Sequence, residues 1–317
     1  MIYKGFDKKN ILVFGGNGFL GSHLLNSLSE HLSNLNSADL ISQNKINPLI
    51  KHPSRINFHN IDITNKEQVR LVMDSVKPHI IFHLAAHIDH SFNFLNYKKS
   101  IETNIIGTLN ILDSINPEVI FRFIHVGTSE SYGQNTVPFN EEMQLKPTTP
   151  YSFSKAASEM LSRTFADKSK VPTVFLRLFN LYGEGQSENM LIPYIINSCL
   201  RGNSIDITEG KQTRENNYVG DIVNGIIKSA IKKPAIGEVI NLGCGEEIKI
   251  RDLALKIIKL CGTDSKVNFG TVKYRENEIW EMYCDNTKAK SLLDWKSETN
   301  LDEGLIKTIK WFQKYGV

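Results

Sequence analysis

Cysteine is sparse in this chain, and the four present (Cys199, Cys244, Cys261, Cys284) lie far apart with no C-x-x-C pair. That spacing argues against a disulfide framework and against a zinc site; reduced thiols in a cytoplasmic protein are expected. Long apolar runs are missing as well. The run ILVF behind the polar start MIYKGFDKKN is far too short for a signal-peptide core or a membrane span, so no membrane partner is expected. Charge of one sign is also lacking: 37 basic and 34 acidic residues are mixed along the chain, for a net +3. Without a basic block or stripe, nucleic acid is not an expected partner. His83, His87 and His90 fall close together, but no cysteine or carboxylate stands at ligand spacing beside them. They are expected to be loop or site-lining histidines, and no metal is assigned.

What the chain does contain is ordinary for a globular protein, 41% apolar and 22% charged over 317 residues, enough for one large domain or two smaller ones. Its first half alternates strand-like runs (11–14, a weak one at 38–41, 56–58, 80–84, 120–126, 173–179) with helical patterns (20–32, 66–76, 97–115, 151–168). Such alternation predicts an α/β fold, a Rossmann-type doubly wound parallel sheet with helices on both faces, binding its ligands at the carboxyl ends of the strands. Past 179 the rhythm loosens: helices at 193–201, 218–232, 250–261 and 301–315, short strands at 205–208 and 239–242. The expected division is a dinucleotide-binding domain over 1–178 and a smaller C-terminal α/β substrate lobe over 179–317, some of whose segments return to the first.

The first strand runs into Gly15-Gly16-Asn17-Gly18-Phe19-Leu20-Gly21. Glycines spaced G-x-x-G-x-x-G between a strand and a helix permit a tight turn and let backbone N–H groups approach a pyrophosphate. Gly15, Gly18, Phe19, Leu20 and Gly21 are therefore cofactor candidates. Asp39, closing the weak second strand, is placed to accept from both adenosine-ribose hydroxyls and to repel a 2′-phosphate, favouring NAD over NADP; a surface turn aspartate is the competing reading. Asp62 and Ile63 suit the adenine end, and the small Leu84-Ala85-Ala86 ending lets a cofactor pass close to the backbone.

Tyr151 and Lys155 share a helix face after Pro150. An ammonium beside a phenol, joined by a cationic nicotinamide, favours the phenolate; moving a tyrosine from about 10 to about 7 requires roughly 4 kcal/mol of differential interaction. Such a phenolate takes a proton from a sugar hydroxyl while hydride leaves the same carbon. Upstream, the stretch HVGTSESYGQ breaks from an apolar run into Thr128, Ser129 and Glu130. Successive residues leaving a strand point to opposite sides, which puts Thr128 and Glu130 together and Ser129 away.

The glycine loop, Thr128 and Tyr-x-x-x-Lys together, with FHLAAH, TNIIGTLNIL, PTTPYSFSKAASE, RLFNLYGEGQ, QTRENNYVGD, INLGCGEE and YRENEIW, resemble the extended short-chain dehydrogenase/reductases that act on nucleotide sugars, nearly end to end. The resemblance implies a Thr128–Tyr151–Lys155 triad, Asn104 behind the nicotinamide site, Asn180 as a sugar-diphosphate ligand, and Arg214 and Arg275 as forks on the phosphates; solvated surface arginines are the competing reading. Asn189 and Leu191 fall in the region expected to recognise the base. A nucleotide-diphosphate hexose is the implied substrate. A cytoplasmic homodimer joined through a four-helix bundle is implied too, serving polysaccharide biosynthesis. Three departures from the pattern occur: Phe14 where a threonine is usual, a short loop over 86–91, and Trp280 or Glu281 where a basic residue is common.

Within that family the Thr-Ser-Glu triplet resembles the hexose-nucleotide 4,6-dehydratases in which one glutamate serves as base and acid. Glu130 would then remove the C5 proton after C4 oxidation, with water lost at C6. A 4-epimerase, a 4-keto reductase or C4 dehydrogenase, and a decarboxylase remain open, and so does a cofactor-binding sensor without catalysis.

Overall fold

The structure, a computed structural model, describes residues 2–40 and 46–316. Its first half alternates as β1 (Ile11–Phe14), α1 (Phe19–Ser29), β2 (Leu35–Asp39), β3 (Ile56–Asn60), α2 (Lys66–Val76), β4 (Ile80–His83), α3 (Phe94–Ser100), α4 (Gly107–Asp113), β5 (Arg122–Thr128), α5 (Pro150–Ser169) and β6 (Thr173–Leu178). Then follow β7 (Leu181–Tyr182), α6 (Leu191–Leu200), β8 (Ile205–Ile207), β9 (Thr213–Glu215), β10 (Asn217–Tyr218), α7 (Val219–Ile231), β11 (Val239–Leu242), β12 (Glu247–Lys249), α8 (Ile250–Cys261), β13 (Val267–Phe269), α9 (Thr287–Leu293) and α10 (Leu301–Tyr315).

Seven strands form one parallel sheet in the order β11-β6-β5-β4-β1-β2-β3, the doubly wound arrangement expected. Alternation along each strand explains the two faces. Ile11 and Val13 pack with Leu24, Leu25 and Leu28 of α1 and with Ile222, Val223 and Ile226 of α7. Leu12 and Phe14 face the other way, onto Val69, Val72 and Met73 of α2 and Ile111 and Leu112 of α4. A third core joins α6, α8 and α10 beneath β8. After β3 the chain crosses back to lay β4 beside β1, so the strand order reverses there and opens a crevice at the carboxyl ends.

Several expectations change. The second strand begins at Leu35, three residues early, and ends at Asp39; Ile41, where the expected run finished, lies outside the described residues. Its polar Asn36 and Ser37 are buried in the sheet, Asn36 donating to the Ile11 carbonyl at 3.3 Å. The expected helix over 97–115 starts at Phe94 and contains a π turn, Ile101–Ile106. One inserted residue rotates the following face by about a quarter turn. Leu112 therefore faces the core, whereas Ile101 and Leu109 remain exposed, so Ile101, Ile105, Leu109 and Leu112, though at helical spacing, do not share one face. Val239–Leu242, read as a strand of the second lobe, is the edge strand of the main sheet against β6.

Candidate active site

The carboxyl ends of β1, β2, β4 and β5 converge on the crevice. Gly15 has φ +83°, and a Cβ there would meet the Ala85 backbone nitrogen at 2.6 Å; a Cβ at Gly21 would overlap the Gly15 carbonyl. The first loop, the β4 ending and the start of α1 therefore pack backbone to backbone. α1 starts at Phe19 behind Gly18, with no side chain capping its first turn. A Cβ on Gly18 would meet nothing closer than the Gly15 carbonyl at 3.4 Å. An uncapped helix start behind a glycine turn fits the pyrophosphate of a dinucleotide.

Asp39 stands at the β2 terminus and accepts from the Asn17 backbone N–H at 2.8 Å. Burial raises its carboxyl above the usual range, while N–H groups of the loop oppose that shift. Asp62 accepts from the Thr64 N–H and hydroxyl, each at 2.8 Å, ahead of α2, and Ile63 is buried against Gly107. Leu84, Ala85 and Ala86 line the crevice side of β4, half-buried. Asn104 is 1% exposed: its amide nitrogen donates to the His87 carbonyl (3.0 Å) and to Ser154 (2.8 Å), and its oxygen accepts from the His87 N–H (2.7 Å). These bonds hold the loop after β4 against the helix that carries Asn104.

β5 ends at Thr128. Its side chain accepts from the Glu130 N–H at 3.3 Å and hydrogen-bonds the Tyr151 phenol. Past Thr128 the chain coils into a 3-10 turn, Ser129–Tyr132, so strand alternation does not govern these side chains. Ser129 turns inward because its hydroxyl donates to the Met282 sulfur at 3.5 Å. Glu130 keeps a half-buried carboxylate 3.2 Å from His90 Nδ1, and its charge acts on both Tyr151 and Arg214. Tyr151 sits in the first turn of α5, fixed by Pro150 and a capping box between Thr149 and Ser152. Lys155 follows one turn on, 3% exposed.

The electrostatics depart from the sequence reading. Burial and then the Glu130 carboxylate push the Tyr151 phenol above its usual value; the Thr128 hydrogen bond works the other way. Burial pulls the Lys155 ammonium down to about 8, partly offset by Glu159. The lysine charge also acts on two buried histidines. Burial and then Lys155 hold His83 down to about 3, and the same causes, joined by His83, hold His125 well below its ordinary value. The three histidines of the β4 ending do not converge: His83 bonds Thr108 (2.8 Å), His87 bonds Asn96 (3.0 Å), and His90 faces Glu130.

On the opposite rim, Arg214 of β9 is largely buried and ion-paired with Glu278, a partner unforeseen in the sequence because 64 residues separate them. Burial lowers its guanidinium, Glu278 and Glu130 raise it, and Arg275 lowers it, so these charges share one neighbourhood. Arg275 itself is exposed on the turn before Glu278. The Asn180 carbonyl accepts from Asn217 (2.8 Å), leaving its side chain at the β6 ending. Asn189 and Leu191 stand at the start of α6, and no hydrogen bond joins them to the triad among the described residues.

Comparison with known proteins is consistent with this geometry. The model of the GDP-mannose 4,6 dehydratase family matches residues 12–308. A trifunctional UDP-glucose 4,6-dehydratase/UDP-4-keto-6-deoxy-D-glucose 3,5-epimerase/UDP-4-keto-L-rhamnose-reductase of Arabidopsis thaliana is 33% identical over 321 residues, 97% of this chain but 47% of that protein. The chain thus spans about half the length of that relative. Among solved structures, UDP-glucose 4-epimerase of Thermotoga maritima with UDP-glucose superposes with a TM-score of 0.90 at 28% identity, covering 96% of this chain and 99% of that one. A dTDP-glucose 4,6-dehydratase from Bacillus anthracis in complex with NAD gives 0.85 at 26% identity, over 97% of both chains.

Proposed function

This chain belongs to the GDP-mannose 4,6 dehydratase family, and on that footing we propose that it is an NAD-dependent 4,6-dehydratase of a nucleotide-diphosphate hexose. The observation that carries the reading is the Glu130 carboxylate, half-buried beside the Tyr151 phenol and facing Arg214. A 4-epimerase needs only the triad; a base on the same wall is what elimination requires.

The residues divide the work as follows. The Gly15–Gly21 turn and the start of α1 receive the pyrophosphate, Asp39 the adenosine ribose, and Asp62 with Ile63 the adenine end. NAD, when bound, supplies the hydride acceptor and a positive ring charge that favours the phenolate. Tyr151, held by Thr128, takes the C4 hydroxyl proton. Lys155 holds positive charge beneath the site. Glu130 removes the C5 proton, acidified by the C4 ketone, and returns a proton there. Arg214 and Arg275 receive the diphosphate, Arg214 by exchanging Glu278 for phosphate oxygens; Asn180 binds the same group, and Asn189 and Leu191 the base. Residues 1–178 act as the cofactor domain and 179–317 as the substrate lobe, with β11 and α7 returned to the sheet.

Exposed Ile101, Leu109, Phe153 and Met160 lie on the neighbouring helices α3–α4 and α5, which supports a homodimer through a four-helix bundle. The same reading places the protein in the cytoplasm, in polysaccharide biosynthesis.

The test is incubation with NAD and UDP-, dTDP-, GDP- or CDP-hexoses, followed by product mass. Loss of one water is expected; an isobaric product would overturn the reading in favour of a 4-epimerase, and turnover of keto sugars alone in favour of a reductase. Glu130→Gln is expected to abolish water loss while reduced cofactor still forms on the enzyme. Full activity in that variant would remove Glu130 as the base.

A further inference from the structure

Glu130 does not stand alone on its wall. His90, from the short loop after β4, brings Nδ1 to 3.2 Å from Glu130 Oε2, off the line of a hydrogen bond. The same ring packs edge-on against Tyr151, centroids 5.3 Å apart at 81°. Both His90 and Glu130 are about a fifth exposed, on the crevice.

The loop is built to hold the ring there. Asn104 bonds both backbone groups of His87. Asn96, 2% exposed, donates to the Asp89 carbonyl at 2.9 Å and to the Ser91 carbonyl at 2.6 Å, one residue on either side of His90. Asp89 accepts from the Ser91 N–H at 2.8 Å and closes the turn. Buried amides thus fix the backbone flanking His90, while the ring has no aligned hydrogen bond at Nδ1. A histidine with a packing role would look like His83, sealed between strands and bonded to Thr108.

We infer that His90 is a second proton-transfer residue, the acid that protonates the hydroxide leaving C6, with Glu130 as its counter-ion. This rests on the dehydratase reading. In the elimination Glu130 takes the C5 proton, the C5–H electron pair becomes the C5=C6 bond, and the C6–O bond breaks. His90, charged and oriented through Nδ1, gives the proton on its other nitrogen to the departing oxygen, and water leaves. The hydride withdrawn at C4 is then returned at C6, and Glu130 returns its proton to C5.

The proton count closes on the two rings in contact. Tyr151 gains one proton in the oxidation and His90 spends one in the elimination, so the cycle is restored when one proton passes from phenol to imidazole, directly or through solvent. The charged and titratable groups facing His90 are Glu130 from the 3-10 turn, Tyr151 from α5, Asp89 on its own loop, and Arg214 beyond Glu130. A division of labour of this kind relieves one carboxylate of having to act as base and acid within a single elimination.

The experiment compares wild type and His90→Gln on a UDP-, dTDP-, GDP- or CDP-hexose that the wild type dehydrates and on its 6-deoxy-6-fluoro analogue. Fluoride leaves without a proton. On the hydroxyl substrate the variant is expected to lose on the order of 10²- to 10³-fold in rate. On the fluoro substrate it is expected to match wild type within a few-fold, which also shows that it folds. Equal losses on both substrates, or no loss on either, overturn the inference. If wild type dehydrates none of the hexoses, the dehydratase reading itself fails and this inference with it.

Discussion

Replacing Arg177 by methionine tests what holds the catalytic wall in place. Arg177 of β6 is 2% exposed and forks onto Glu159 of α5, Nε to Oε2 at 2.9 Å and a terminal nitrogen to Oε1 at 2.6 Å. Its other terminal nitrogen donates to the Tyr132 hydroxyl at 2.8 Å and to the Glu141 carbonyl at 3.3 Å. Tyr132 in turn donates to Asn241 of β11, also at 2.8 Å. Burial works against the guanidinium, but the Glu159 bonds outweigh it and raise its pKa. Removing one partner of such a pair strands a buried carboxylate and costs about 3–5 kcal/mol. In the folding equilibrium that is roughly 10²- to 10⁴-fold. Urea unfolding of wild type, Arg177→Met, and the double variant Arg177→Met/Glu159→Met, followed by circular dichroism and by tryptophan fluorescence, measures it. The double variant removes both charges and is expected to recover to within about 2 kcal/mol of wild type, because well-packed apolar replacements of a buried pair are often neutral. A single variant that loses under about 1 kcal/mol, or a double variant less stable than the single, would refute the reasoning.

Three more outcomes follow from the site. The Lys155 ammonium, lowered to about 8 by burial, is expected to give the pH profile of kcat/KM an alkaline limb near that value; a rate flat through pH 10 would contradict it. Its sign for stability is opposite to that of an ion-paired lysine: the unfolded chain binds the extra proton from about 8 up to its ordinary 10.5, so stability rises with pH across that window. The difference between wild type and Lys155→Met isolates this change, up to roughly 3 kcal/mol. Asp39→Asn is expected to weaken NAD by about 1.5–3 kcal/mol through loss of a charge-assisted hydrogen bond, roughly 10- to 150-fold in Kd, while NADP binding improves. Calorimetric titration with both cofactors checks it, and an unchanged NAD/NADP ratio would count against Asp39 as the ribose ligand.

The parts legible in the sequence are those fixed by local pattern. β1 and the glycine turn after it, α2, and the paired Tyr151 and Lys155 on the start of α5 are read from apolar spacing, glycine chemistry and the Pro150 helix start. β2 was legible only at its end, because Asn36 and Ser37 are polar and their burial depends on partners in β1 and β3, far along the chain. The π turn at Ile101–Ile106 inside the expected helix was illegible for a related reason: a constant period cannot register one inserted residue.

The site was legible as a set of residue types and illegible as a field of charge. Spacing puts Lys155 one turn from Tyr151, and from that alone the ammonium should lower the phenol. The folded chain buries the ring and sets Glu130 within its field, and both push the phenol up. It also lays His83 and His125 on adjacent strands, paired in register, where burial and then the lysine hold both down. The first follows from α5 packing on the β5 ending and the second from β4 lying beside β5, and no window around residue 151 contains either. Strand adjacency also explains His90: the loop that carries it leaves β4 beside the β5 ending that carries Glu130. Motifs therefore name the participants in the chemistry, and the order of strands in the sheet decides which of them act on one another.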